Sequence, residues 1–169
     1  MPTGLKQTSS IVAIGFEVVE SGANTFTQGS SDLNLSPLDS EVFVVLSVNM
    51  DLSTPSAIDG TDTTAQGSLT STSQTAVQNL SNSNCIAAAG KIIKAADATN
   101  WGATFQTALE TPPANLDYIG IIATNDFYVQ VKGTANTGAL YLTGKVYGYR
   151  ARADSAIYAA LVQSEALSA

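Results

Sequence analysis

The stretch "EVFVVLSVNMDL", residues 41–52, alternates along its whole length. Val42, Val44, Leu46, Val48, Met50 and Leu52 fall on one side, and Glu41, Phe43, Val45, Ser47, Asn49 and Asp51 on the other. Only a β-strand can use a repeat of two to bury one face and wet the other. At about 3.3 Å per residue the strand is roughly 40 Å long, the height of a sandwich or barrel wall. If the Leu46 face is core, Leu46→Ala costs about 2–5 kcal/mol.

Working outward, "SSIVAIGFEVVE" (9–20) is a second strand with Ile14, Phe16 and Val18 aligned. The turn-rich segment 22–40 joins the two, with a short edge strand expected at Asp32–Leu35. Residues 53–75, "STPSAIDGTDTTAQGSLTSTSQT", are rich in Ser and Thr and almost free of large apolar side chains. They are expected to form a long polar loop, with or without a short hairpin. Residues 85–97 fit a helix or a strand; the strand is preferred, with Gly90 at a bend. "ATFQTALE" (103–110) is a further short extended segment, stopped by Pro112 and Pro113. "LDYIGIIA" and "DFYVQVKG" are strands turning at Thr124-Asn125.

In "ALYLTGKVYGYRAR" (139–152), Tyr141, Thr143, Lys145, Tyr147 and Tyr149 share one face, with Leu140, Leu142 and Val146 opposite. Asp154 then caps a short helix with Ile157, Leu161 and Val162 in its apolar stripe. About eight strands with turn signals between them predict an all-β, antiparallel sandwich or barrel followed by a C-terminal helix. The expected organisation is an N-terminal arm at 1–10, one β-domain at 11–152 and a helical tail at 153–169.

Composition narrows the function. The 169 residues carry a net charge of −7, and the whole excess lies in residues 1–84, which hold Lys6 against eight acids. Seven basic residues are few for gripping a phosphate backbone, so no direct nucleic-acid contact is expected. No run of eighteen apolar residues exists, so no transmembrane segment is expected. The apolar part of the first twenty residues is broken by Gly15 and Glu17, unlike a signal peptide.

The chain has no histidine and one cysteine, Cys85. That removes the usual general base, the Ser-His and Cys-His pairs, and the ligands of a zinc site. No enzyme activity and no cofactor are expected. Fourteen acids offer many carboxylate pairs, but nothing selects two for glycoside hydrolysis. Asp59 and Asp62, in "DGTD", are the candidate cation ligands; without a bidentate glutamate at the twelfth loop position the stretch reads better as a polar turn. Trp101, beside Gly102, is the candidate for stacking on a sugar ring, although a lone tryptophan near a turn more often anchors a core edge or an interface. Tyr147, Tyr149, Arg150 and Arg152, with Tyr158 and Leu161 on the tail helix, are the candidate subunit-interface residues. Tyr and Arg combine contact area with directional hydrogen bonds at such surfaces.

A Ser/Thr/Asn/Ala-rich sandwich without a catalytic constellation, carrying "EVFVVLSVNMDL", "LDYIGIIATNDFYVQV" and "ALYLTGKVYGYRARAD", resembles the single jelly-roll capsid proteins of tailless icosahedral viruses. The resemblance is architectural and rests on no diagnostic motif. It implies eight strands in two facing sheets and a self-assembling, non-enzymatic coat subunit located in the virion and assembled in the host cytoplasm. It implies partners that are other copies of the chain and other capsid proteins, and contact with a virion membrane that is at most peripheral. Lys6 alone in the first ten residues departs from the basic arm of genome-binding coat proteins. The competing readings are a β-sandwich carbohydrate-binding module or adhesin, and a virion tail or decoration protein.

Overall fold

A computed structural model describes residues 4–97, 100–106 and 116–167, with side chains at all of these except 96–97, 100–101 and 103–106. Two five-stranded antiparallel sheets face each other. The strands are β1 (Leu5–Gln7), β2 (Val12–Val19), β3 (Thr27–Asp32), β4 (Glu41–Leu52), β5 (Thr63–Thr70), β6 (Cys85–Asp97), β7 (Asn100–Gln106), β8 (Gly120–Ile122), β9 (Asp126–Thr134) and β10 (Tyr141–Ala153). Helix α1 (Ser155–Leu167) follows.

In the first sheet β10 lies between β4 and the pair β1 and β2, and β4 carries β8 on its far side. The second runs β3-β9-β5-β6-β7. If β1 and β7 are set aside as additions, the remaining eight strands, counted along the chain, read 1-8-3-6 and 2-7-4-5. Successive strands therefore cross repeatedly between sheets, and the first pairs with the last. That is the jelly-roll arrangement, a sandwich of two Greek keys. The N-terminal segment expected to be a free arm contributes β1, which pairs with the end of β10 from Leu5↔Ala153 to Gln7↔Ala151.

The interior is filled by residues such as Phe16, Phe43, Val48 and Met50 from one sheet and Leu69, Phe127, Val129 and Val131 from the other. Phe16 and Phe127 meet edge to face across the sandwich at 6.1 Å. A second apolar cluster lies outside the first sheet, where Val42, Val44, Tyr149, Ala151 and Ala153 are covered by Ile157, Tyr158, Leu161 and Val162 of α1.

These two cores revise the reading of residues 41–52. Opposite β10 the register skips Leu46: Val45 pairs with Gly148 and Ser47 with Tyr147. This β-bulge switches the faces. Phe43, Val45, Val48, Met50 and Leu52 point into the sandwich, while Val42 and Val44 point outward under α1, with Leu46 packed beside them. Simple alternation placed Leu46 with Val48; Leu46 is half-buried against the helix-covered cluster instead. The bulge follows from a strand that must be apolar on both faces at its beginning and on one face at its end.

Residues 53–75 are not a long loop, because they contain β5 at the centre of the second sheet. The misleading signal has two causes. The inward positions before Leu69 are small, Ala65 and Gly67, and a Cβ on Gly67 would meet Leu142 at 2.6 Å. The outward Ser68 and Thr70 are polar yet buried, because residues 71–84 fold over them. Gln130, on β9, donates to Gln28 Oε1 (3.0 Å) and Thr70 Oγ1 (2.7 Å) and accepts from Ser68 Oγ (2.7 Å). The amide of Gln78 closes the layer by donating to Ser68 Oγ at 3.0 Å. Buried polar groups are tolerated when each finds a partner.

Residues 85–97 form strand β6, paired on both sides. The segment around Thr124-Asn125 is not a hairpin turn: β8 belongs to the first sheet and β9 to the second. Asn125 pins that crossover by accepting the Leu35 amide at 2.7 Å and donating to Asp32. The edge strand expected at Asp32–Leu35 lies earlier, at Thr27–Asp32. The extended segment expected at 103–110 lies partly on β7 and partly outside the described residues.

Candidate functional site

Helix α1 covers only part of the outer face of the first sheet. Beyond it, strands β2, β10 and β4 present an uncovered grid, because paired antiparallel residues project to the same side. The row nearest the helix is Ala13–Tyr147–Ser47, the next Gly15–Lys145–Asn49, the next Glu17–Thr143–Asp51, and the last carries Val19 beside Tyr141. Gly15, which has no side chain, leaves the grid low on its β2 side, beside Lys145. A depression of about 400 Å³ opens there, lined by Gly15, Asn49, Asp51, Thr143, Lys145 and Tyr147.

The chemistry of this hollow is mixed. Lys145 is a cation and Asp51 an anion; Asn49 both donates and accepts; Thr143 and Tyr147 offer hydroxyls. Thr143 Oγ1 reaches the Asp51 carbonyl only at 3.5 Å. Among the described residues, the side chains of Glu17, Asn49, Asp51, Lys145 and Tyr147 take no hydrogen bond or ion pair. Sequence reasoning placed Tyr147 in a functional group but missed Asn49 and Asp51, because their partner row on β10 depends on the register. Their polar alternation at the end of β4 was the available signal.

The remaining candidates are dispersed. Tyr149 is buried beneath α1, where burial, then the charge of Asp117, raises its phenol pKa. Tyr158 and Leu161 pack on the same cluster, so these three join the chain's own helix to its own sheet. Arg150 donates to the Leu33 carbonyl at 2.8 Å and lies 3.9 Å from Glu41. Arg152 pairs with Asp39 at 2.8 Å on the exposed surface. Both arginines thus have an acidic neighbour within the chain, Glu41 for Arg150 and Asp39 for Arg152.

Asp62 accepts from Lys94 Nζ (2.8 Å) and from the Ala95 amide (3.0 Å). The Lys94 hydrogen bond leads in lowering its pKa. Asp59 lies within the tight turn closed by the Ile58–Thr61 bridge and Asp62 follows it, and among the described residues no three His, Cys, Asp or Glu side chains gather to hold a metal. Trp101 lies on β7, but its side chain is outside the described residues.

Two buried carboxylates act as braces. Glu20 accepts the amides of Gly133 (2.6 Å) and Leu140 (2.7 Å), holding the loop between β9 and β10. Glu165, near the end of α1, accepts the amides of Ala123 and Thr124, both at 2.9 Å. Burial raises its pKa, against those two bonds, which lower it. Cys85 is half-buried, and burial pushes its thiol up to about 11. No described helix is long and apolar enough to cross a membrane.

No protein-family model, no curated protein and no solved structure matches this chain, so its fold and surface chemistry carry the functional reading.

Proposed function

We propose that the chain is a self-assembling structural subunit of a virus particle, a coat or decoration protein that works through its outer surfaces. The observation that carries this reading is an apolar edge on a jelly roll whose interior is already filled. Along β2 and just before it, Ile11 (62 % exposed), Val12 (40 %) and Val19 (51 %) stand in solvent, with Tyr141 (47 %) beside Val19. Edge strands with uncovered apolar side chains are sites for pairing with another chain. The interior residues and the polar layer on the second sheet are satisfied within the chain and need no partner.

The partners of this reading are further copies of the chain and other particle proteins. A net charge of −7 makes copies repel, so assembly should strengthen as salt screens them. Mass photometry and negative-stain electron microscopy of the purified chain, across concentration and ionic strength, test the proposal. Discrete closed assemblies that Val19→Asp reduces to monomers support it. A chain that stays monomeric at millimolar concentration in low and high salt refutes self-assembly.

A further inference from the structure

The hollow on the outer face of the first sheet has the composition of a small-ligand site. We propose that it binds a neutral saccharide through Asn49, Asp51, Thr143, Lys145 and Tyr147. The site adjoins the Val19–Tyr141 row of the assembly reading but uses different side chains.

Three features select this ligand class. First, the groups are unspent: among the described residues none of the five side chains has a strong partner, although they stand in adjacent rows of one sheet. Second, their signs are mixed. A phosphate or carboxylate would meet Lys145 but also Asp51 and, beyond it, Glu17. A metal cation would meet Asp51 but also Lys145. A neutral polyol takes donors and acceptors together: adjacent hydroxyls donate to a carboxylate or amide oxygen and accept from an ammonium or amide N–H. Tyr147 adds an aromatic surface with a polar tip, suited to a ligand that has both C–H faces and hydroxyl edges.

Third, the space fits. The depression of about 400 Å³ lies in the range of small-ligand sites, roughly 300–1,000 Å³. From β2 to β4 the grid is about 10 Å wide, and from Thr143 to Tyr147 about 13 Å long, the footprint of a di- or trisaccharide. The floor is open because of Gly15: a Cβ there would meet nothing nearer than the Gly144 carbonyl at 4.0 Å. A larger side chain would therefore fill the hollow without disturbing the core, which supplies a clean test.

The full chain, displayed multivalently, is applied to an array of neutral oligosaccharides comprising glucans, mannans, galactans and N-acetylhexosamine chains. The best binder is then titrated by calorimetry against wild type, Gly15→Val, Asp51→Ala and Lys145→Ala. The expected result is binding to at least one class, weakened about tenfold or more by Asp51→Ala and by Lys145→Ala. Gly15→Val should abolish it at unchanged melting temperature. Should Gly15→Val fail to fold, the two exposed-face variants decide the matter alone. Absence of binding across the array overturns the proposal. So does binding that survives these variants, or a Gly15→Val effect confined to oligomeric state, which would make the face a contact between copies.

Discussion

Gly148 faces the bulge at Leu46, and its replacement by alanine probes the local geometry that switches β4 from one core to the other. A Cβ at Gly148 would lie 2.3 Å from the Val44 carbonyl oxygen and 2.6 and 2.8 Å from the Phe43 ring. The ring is fully buried in the sandwich interior, and the carbonyl belongs to the paired neighbouring strand. Neither can yield freely. Overpacking of a filled core costs about 1–3 kcal/mol, and a clash with backbone as well as side chain puts Gly148→Ala near the top, about 3 kcal/mol. For a chain of this size that is a fall in melting temperature of roughly 6–12 °C. Urea unfolding followed by far-ultraviolet circular dichroism, with calorimetry alongside, measures it. Adding Phe43→Leu should relieve the ring contact but not the carbonyl contact, so recovery should be partial. Gly15→Ala is the control: with its nearest neighbour at 4.0 Å, it should be neutral or stabilise by up to about 1 kcal/mol. A loss below about 1 kcal/mol for Gly148→Ala, or equal effects at the two glycines, would refute the close-approach reasoning.

Three further outcomes follow from the buried groups. Glu20→Ala strands the Gly133 and Leu140 amides and should destabilise by about 3 kcal/mol, with faster amide exchange confined to the loop between β9 and β10. Because burial raises the folded-state pKa of Glu165, its stabilising contribution is complete below the ordinary glutamate pKa and is lost as pH rises through the raised value. Wild type should therefore lose stability over that interval relative to Glu165→Gln, and a melting-temperature difference flat in pH would contradict this. Cys85, with its thiol at about 11, should react with a thiol reagent at pH 8 about two orders of magnitude more slowly than an exposed cysteine. A rate matching free cysteine would show that the site opens readily.

How legible the molecule was in its sequence depends on how local each feature is. Strand identity is local. Ile14, Phe16 and Val18 on β2, and Leu142 and Val146 on β10, point inward as their spacing predicted, because side-chain direction in a strand is set by position alone. The tail helix and the antiparallel class were readable for the same reason. Burial is not local. Ser68 and Thr70 read as part of a polar loop, yet they are buried under residues 71–84 beside Gln130, with hydrogen bonds supplied by groups distant in the chain. The reversal of faces at Leu46 likewise needs its partners, Tyr147 and Gly148, to be known.

The same division holds for the candidate site. Alternation alone put Tyr147 with Lys145, and Asn49 with Asp51, on common faces of their own strands. Only the strand pairing and its register brought those faces together, set Gly15 beside them across β10 from β4, and left the rest of the sheet under α1. Composition and period therefore determined an all-β, antiparallel sandwich or barrel whose sequence contains no histidine. The tertiary structure decided which strands pair, which polar groups are spent on one another and which remain free. These are properties of contacts between residues distant along the chain, and the sequence order of side chains does not encode them separately from the fold.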